Sequence, residues 1–92
     1  MKLKLKFLRP FKDITGKSEL GLDIEVSNLK DLLKILVDKY PKLEKEIFKK
    51  NNELTDYICI FVNDKPISAL NWLDTKLENG DNLLFFVPVS GG

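Results

Sequence analysis

The sequence predicts an α+β domain in which a mixed β-sheet carries one main helix on one face. Two segments near the N-terminus alternate apolar and polar residues with the period of a strand, and the next segment changes to the period of a helix. Further apolar segments typical of strands follow, so the helix lies between a pair of strands and a group of strands. A chain of 92 residues has room for one core.

The first strand is predicted over residues 2–8, because KLKLKFL places three apolar side chains on one face and three lysines on the other. Leu8 falls on the lysine side, where a polar residue is expected. A loop is predicted over 9–19. The second strand is predicted over 20–26, where LGLDIEV alternates again, and we expect the two strands to pair antiparallel.

The main helix is predicted from Asn28, a favourable N-cap residue, to Pro41, which disfavours helical angles at the residue before it. Asp31 places negative charge in the first turn, which the helix dipole favours. One face of this helix is apolar and consists of Leu29, Leu32, Leu33, Leu36, Val37 and Tyr40. A further short helix is predicted within 42–50.

The second half of the chain predicts three more strands. YICIFV, at 57–62, is apolar on both faces, which is typical of a strand covered on two sides. A short strand at 66–68 follows a turn, and an irregular section covers 69–73. ENGD, at 78–81, is a strong turn signal before the last strand at 82–87.

A right-handed crossover from the second strand makes the first and last strands parallel neighbours in the centre of the sheet. This is the β-grasp, or ubiquitin-like, arrangement. We expect residues 1–92 to form a single domain of this kind, with 88–92 as a flexible C-terminal tail.

The composition excludes several classes of function. Fifteen Lys and Arg residues against fourteen Asp and Glu residues give a net charge of +1, which implies no general attraction to nucleic acid or anionic membrane. His is absent and Cys59 is the only cysteine, so a Cys/His zinc site and a Ser–His or Cys–His nucleophile pair are excluded. We expect Cys59 to be a buried apolar residue, and the protein to be cytoplasmic without bound metal.

The segment DTKLENGDNLLFFVPVSGG, residues 74–92, resembles the C-terminal signature of the MoaD-type molybdopterin synthase small subunits. These proteins are ubiquitin-like sulfur carriers of the MoaD/ThiS superfamily. VNDKPI at 62–67 and NLKDLLKIL at 28–36 are similar to the same family pattern, in the same order. The chain departs from the family where two prolines are common, because it has Val87 and Pro88 there.

The resemblance implies that the reactive group is the C-terminal carboxylate of Gly92. An E1-like adenylating enzyme, using ATP and Mg, would convert this carboxylate to an acyl-adenylate, and sulfur would then replace the adenylate to give a thiocarboxylate. The large catalytic subunit of molybdopterin synthase would direct that sulfur onto a cyclic pterin precursor. The chain itself would be non-catalytic and would bind no cofactor.

The end of the chain suits such a role, because the terminus must enter narrow channels of two enzymes. Gly91 and Gly92 have no Cβ and permit close approach, and the small Ser90 precedes them. Pro88 would end the strand ladder and stiffen the exit of the tail. The alternative is that the two glycines are only a frayed terminus.

The resemblance also places partner contacts on the outward face of the sheet, at Leu8, Phe86 and Ile67. Contiguous exposed apolar residues usually indicate a partner site. The alternative is that these residues form a second small core beneath the section at 69–73.

Two other functions remain open from the sequence. A ubiquitin-like modifier would use the same activated Gly92 to form isopeptide bonds with lysines of other proteins. A β-grasp interaction module would have an inert tail. The sequence does not indicate molybdenum or tungsten, the sulfur donor or the stoichiometry of a complex.

Overall fold

The computed structural model describes residues 1–88, and its centre is a five-stranded mixed sheet. The strands are β1 Lys2–Phe7, β2 Glu19–Asp23, β3 Cys59–Val62, β4 Lys65–Pro66 and β5 Asn82–Phe86. Their order across the sheet is β2, β1, β5, β3, β4. Of the predicted tail at 88–92, only Pro88 is among the described residues.

The two central strands, β1 and β5, run parallel, with Leu5 opposite Leu83 and Phe7 opposite Phe85. The β1–β2, β3–β5 and β3–β4 pairs are antiparallel. The predicted β-grasp arrangement is therefore confirmed. The second strand is shorter than predicted and ends at Asp23, although the amide of Ile24 still donates to the carbonyl of Met1 at 2.9 Å.

The segment between β1 and β2 was predicted to be a loop, and this prediction is wrong over α1, Phe11–Thr15. Phe11 anchors this short helix, since its side chain is buried in the core. Gly16 ends the helix with φ of 74°, a left-handed conformation that glycine adopts at little cost, and its amide donates to the carbonyl of Lys12.

The main helix, α2, spans Leu29–Lys39 and begins as predicted. The Asn28 side-chain oxygen accepts from the amide of Asp31 at 3.0 Å, so one of the free amides of the first turn is satisfied. The short helix predicted within 42–50 is a 3-10 turn at Pro41–Leu43 followed by α3, Glu44–Ile47.

The core lies between α2 and the inner face of the sheet. Four residues of the predicted apolar stripe of α2 are buried, and Val37 and Tyr40 pack partly buried at its edge. The most deeply buried side chains are Leu5, Phe7, Phe11, Leu29, Leu32, Leu33, Leu36, Leu43, Ile47, Ile60, Leu83 and Phe85.

The section after β4 is irregular, as predicted. It contains two 3-10 turns, Ile67–Ala69 and Trp72–Asp74, which lie against β3 and α2 respectively. Leu70 and Trp72 are exposed to solvent here. None of the helices within residues 1–88 has the length and apolar character that crossing a membrane requires.

Candidate functional site

The candidate site is an apolar patch on the outer face of the sheet, beside the end of β5. We call it the outer patch, and it consists of Leu8, Cys59, Phe61, Leu84 and Phe86. These residues lie on three neighbouring strands or directly after them, on the face opposite α2. The patch is thus formed where the chain leaves the sheet.

The alternation of β5 creates the middle of the outer patch. Leu83 and Phe85 point inward and are 0% exposed, whereas Leu84 and Phe86 point outward and are only partly buried. The outward orientation predicted for Phe86 is therefore confirmed, and Leu83 and Phe85 of the same strand belong to the core. Asn82, the first outward residue, is polar and exposed, whereas Leu84 and Phe86 make the second half of this central strand apolar on both faces.

Leu8 forms the edge of the outer patch and is 51% exposed. It follows Phe7 as Phe86 follows Phe85, and its amide donates to the carbonyl of Phe85 at 3.0 Å. This hydrogen bond continues the parallel pairing of β1 with β5 by one residue. The Leu8 side chain therefore lies on the outer face of the sheet, as its position in the alternation predicts. A partner contact at Leu8 remains a prediction.

Phe86 is supported by residues of β3. Its ring stacks on that of Phe61, with centroids 5.8 Å apart and planes at 28°, and Cys59 is its register partner. The prediction that this strand is covered on two sides is wrong, because Cys59 and Phe61 are only half-buried on the outer face. Cys59 is likewise not the fully buried residue that was predicted. Sequence reasoning missed Phe61, since both faces of this strand are equally apolar.

Ile67 does not belong to the outer patch, and the prediction that it lies on the exposed face is wrong. Its side chain is 4% exposed and lies in the core cluster. The reason is local: β4 ends at Pro66, and the following 3-10 turn directs Ile67 inward. The prediction rested on the family resemblance, which carries over a sequence position but not this local turn of the chain.

The exit of the tail is next to the outer patch. The amide of Val87 donates to the carbonyl of Arg9 at 3.3 Å, one residue past the end of β5. Pro88 is exposed and has no amide hydrogen, so it donates nothing to a ladder. The predicted tail residues Ser90, Gly91 and Gly92 lie outside the described residues.

Charged side chains flank the outer patch on its β1 side. Lys6 is the register partner of Leu84, and Lys4 pairs with Glu19 at 3.3 Å. Arg9 pairs with Asp13 at 3.8 Å. Because these charged groups lie beside the apolar patch, they form a polar rim on that side. Exposed ion pairs of this kind add little to the stability of the fold.

Across residues 1–88, no three His, Cys, Asp or Glu side chains are grouped so that they could hold a metal ion.

Sequence and structure comparisons show what this chain is similar to. The model of the ThiS family matches residues 5–92, and the chain belongs to this family. A protein of Archaeoglobus fulgidus with the name "Putative sulfur carrier protein" is 29% identical over 77 residues, which are 84% of this chain and 88% of that protein.

The other similar proteins have names of a different kind. Small archaeal modifier protein 1 of Haloferax volcanii is 29% identical over 91 residues, covering 98% of this chain and 100% of that protein. The solution structure of small archaeal modifier protein 1 from Methanosarcina acetivorans has a TM-score of 0.86 and 34% identity, and covers 99% of this chain and 96% of that chain. The family is thus one of ubiquitin-like sulfur carriers and modifiers, and the resemblance to molybdopterin synthase small subunits is shown only at this level.

Proposed function

We propose that this protein is a sulfur carrier whose working group is the C-terminal carboxylate of Gly92. A partner enzyme of the E1-like class adenylates this carboxylate with ATP and Mg. A sulfur nucleophile then attacks the acyl carbon, the carbon–oxygen bond to AMP breaks, and a thiocarboxylate remains on Gly92. The protein itself contributes no catalytic side chain to these steps.

The observation that carries this proposal is the ThiS-family match, which runs through Gly92. The geometry adds support, because a central strand that is hydrogen-bonded on both sides leads directly to the terminal segment. A carboxylate at neutral pH is a poor electrophile, with a pKa of about 3.3–3.7, so an activating partner is needed. Glycine at both final positions leaves the reacting carbon free of side-chain obstruction.

The outer patch is the surface we assign to the partners. It combines an exposed Leu8 with the half-buried Phe86 and a polar rim, which is the composition typical of a protein interface. The patch lies next to Pro88, so a protein bound there would hold the terminal segment close to its own surface. We propose that the adenylating enzyme and the sulfur-accepting enzyme both bind at this patch.

For the acceptor, we propose the large subunit of molybdopterin synthase, which would transfer the sulfur to a cyclic pterin precursor. The support is the agreement of DTKL, NGD and VPVSGG with the small-subunit signature. The test is reconstitution with a purified large subunit and the precursor. Formation of the dithiolene product only with thiocarboxylated protein would support this acceptor, and no dithiolene from fully thiocarboxylated protein would contradict it.

The carrier function itself is tested by intact mass spectrometry of the protein purified from cells that supply its adenylating enzyme. We expect a species heavier by one sulfur-for-oxygen replacement at the C-terminus. Gly92→Ala should suppress this species while leaving the thermal midpoint unchanged, because Gly92 is six residues past the end of β5 in the sequence. Full sulfur loading of Gly92→Ala would contradict the idea that the terminus must lack a Cβ to enter a narrow channel of the adenylating enzyme.

A second function is favoured by the names of the relatives, two of which are small archaeal modifier proteins. The same acyl-adenylate, attacked by a lysine amine in place of sulfur, would give an isopeptide bond between Gly92 and another protein. Tryptic digests would then contain lysines that carry a fragment of this C-terminus. Such conjugates without any thiocarboxylate would favour the modifier, and thiocarboxylate without conjugates would favour the carrier.

The interface assignment is tested by Leu8→Glu, which puts a charge into the outer patch. Leu70→Glu is the matched control, because Leu70 is also exposed, at 38%, and lies outside the patch. We expect Leu8→Glu to weaken binding of the adenylating enzyme while both variants keep the thermal midpoint. Equal binding by both variants, or loss of the fold in Leu8→Glu, would contradict the assignment.

A further inference from the structure

A second surface lies on the helix side of the molecule, away from the outer patch. Two adjoining depressions there share Glu44 and Phe48 as lining residues. The first runs along the 3-10 turn and α3, from Pro41 to Lys50, and the second lies between α2 and α3. We call their combined surface the helix-side groove.

The helix-side groove is strongly basic, although the whole chain has a net charge of only +1. Its lysines are Lys30, Lys34, Lys42, Lys45, Lys49 and Lys50, against the two carboxylates of Asp38 and Glu44. Of these lysines only Lys49 forms an ion pair with a described residue, at 2.9 Å from Asp56. Six lysines therefore line this groove against two lining carboxylates, with Asp56 and Glu53 as further acidic neighbours of Lys49.

The floor of the helix-side groove is apolar. Phe48 is half-buried and lines both depressions, and the half-buried Val37 and Leu73 line the second. Pro41 lines the first. A ligand in this groove would meet an apolar centre with ammonium groups on both sides, which suits an amphipathic anion.

We propose that the helix-side groove binds an acidic peptide segment of a partner protein, with one aromatic or large aliphatic side chain placed on Phe48. The lysine ammonium groups would pair with the carboxylates of that segment. Asp38 and Glu44 can accept hydrogen bonds from peptide amides, whereas they would repel a phosphodiester backbone. The groove also has no arginine, and Phe48 is its one aromatic residue, so it lacks the series of stacking rings that a single strand of RNA needs and a peptide fits better.

This inference does not depend on the chemistry of Gly92. The helix-side groove is built on α2 and α3, whereas the outer patch is on the opposite face of the sheet. An acidic partner segment could therefore hold the protein by its helix side while the outer patch and the terminal segment stay available. The surface would serve recruitment or delivery of the protein rather than the sulfur transfer.

The test is an NMR titration of the isotope-labelled full-length chain with an acetylated and amidated pentapeptide, EDFDE. We expect saturable shifts of the backbone amides from Lys42 to Lys50, which weaken with added salt. Lys42→Gln with Lys45→Gln should weaken binding about fivefold, since two exposed ion pairs are lost. Lys2→Gln with Lys4→Gln, on the sheet side, should change the affinity less than about twofold.

Two further probes separate the alternatives. The peptide EDADE lacks the aromatic anchor and should bind more weakly than EDFDE if the side chain contacts Phe48. A ten-nucleotide uridine RNA should bind more weakly than EDFDE. No saturable shift, shifts centred on Lys2 and Lys4, or tighter binding of RNA at the same amides would each overturn the proposal.

Discussion

Replacing Phe85 by leucine, and separately Phe86 by leucine, tests whether β5 divides its side chains between a closed core and an open outer patch. The change is the same in both variants, and the two positions are adjacent in one strand. Strand propensity and chain position are therefore matched. The difference in unfolding free energy between the variants reports the environment of each ring.

The expected magnitudes follow from the contacts of the two rings. Phe85 is 0% exposed and packs against Phe7 and Phe11, with ring centroids 5.7 Å and 6.2 Å away. Losing ring atoms in this closed site leaves a cavity and breaks two aromatic pairs, which we expect to cost on the order of 2 kcal/mol. Phe86 has one aromatic partner, Phe61, and is partly hydrated, so we expect a loss of about 0.5 kcal/mol or less.

The assay is denaturant unfolding followed by far-UV circular dichroism, with linear extrapolation to water. A domain of this length has roughly 5–14 kcal/mol of stability, so both leucine variants should remain folded. A loss of 2 kcal/mol corresponds to a lower thermal midpoint by roughly 8–16 °C. Equal losses at the two positions, or a larger loss for Phe86→Leu, would refute the two-face description of β5 and with it the outer patch.

Three further predictions concern local structure. Asn28→Ala should cost about 1 kcal/mol of unfolding free energy through loss of the cap on α2, whereas Asn28→Asp should cost almost nothing. Gly16→Ala should cost about 1 kcal/mol, because φ is 74° there, whereas Gly21→Ala should be neutral or stabilising; equal effects would contradict the conformational reason. The hydrogen bond with Glu25 raises the pKa of the Met1 amine, so the thermal midpoint should fall as the pH rises above about 8, and Glu25→Gln should flatten this dependence.

The fold was largely predictable because its elements are encoded by local periodicity. The alternation in KLKLKFL fixes the face of β1, and the cap and stripe fix α2, so these two predictions are confirmed. The short α1 could not be predicted from periodicity, since it has only five residues. Its position depends on the burial of Phe11 in the core, which is a tertiary contact, and on the left-handed conformation of Gly16, which ends the helix.

The candidate site was predictable only in part, because exposure depends on what covers a strand. Leu8 was found since it breaks a clear alternation, and its exposure agrees with that prediction. Ile67 was placed wrongly because the family resemblance carries over a sequence position but not the 3-10 turn that directs this side chain inward. Phe61 was missed because apolar residues on both faces of β3 are equally consistent with a covered strand and with an interface.

The length of the terminal segment limits where a partner of the outer patch can act on it. Gly92 is six residues beyond Phe86 in the sequence. A fully extended chain spans at most about 3.6 Å per residue, so the terminal carboxylate can reach roughly 20 Å from the end of β5. Under the proposed function, an enzyme that binds the outer patch must therefore place its reacting group within that distance. β5 is hydrogen-bonded to β1 on one side and to β3 on the other. A partner that binds the terminal segment therefore cannot easily detach residues of β5 to lengthen that segment, and the end of β5 remains the fixed point from which the distance of roughly 20 Å is measured.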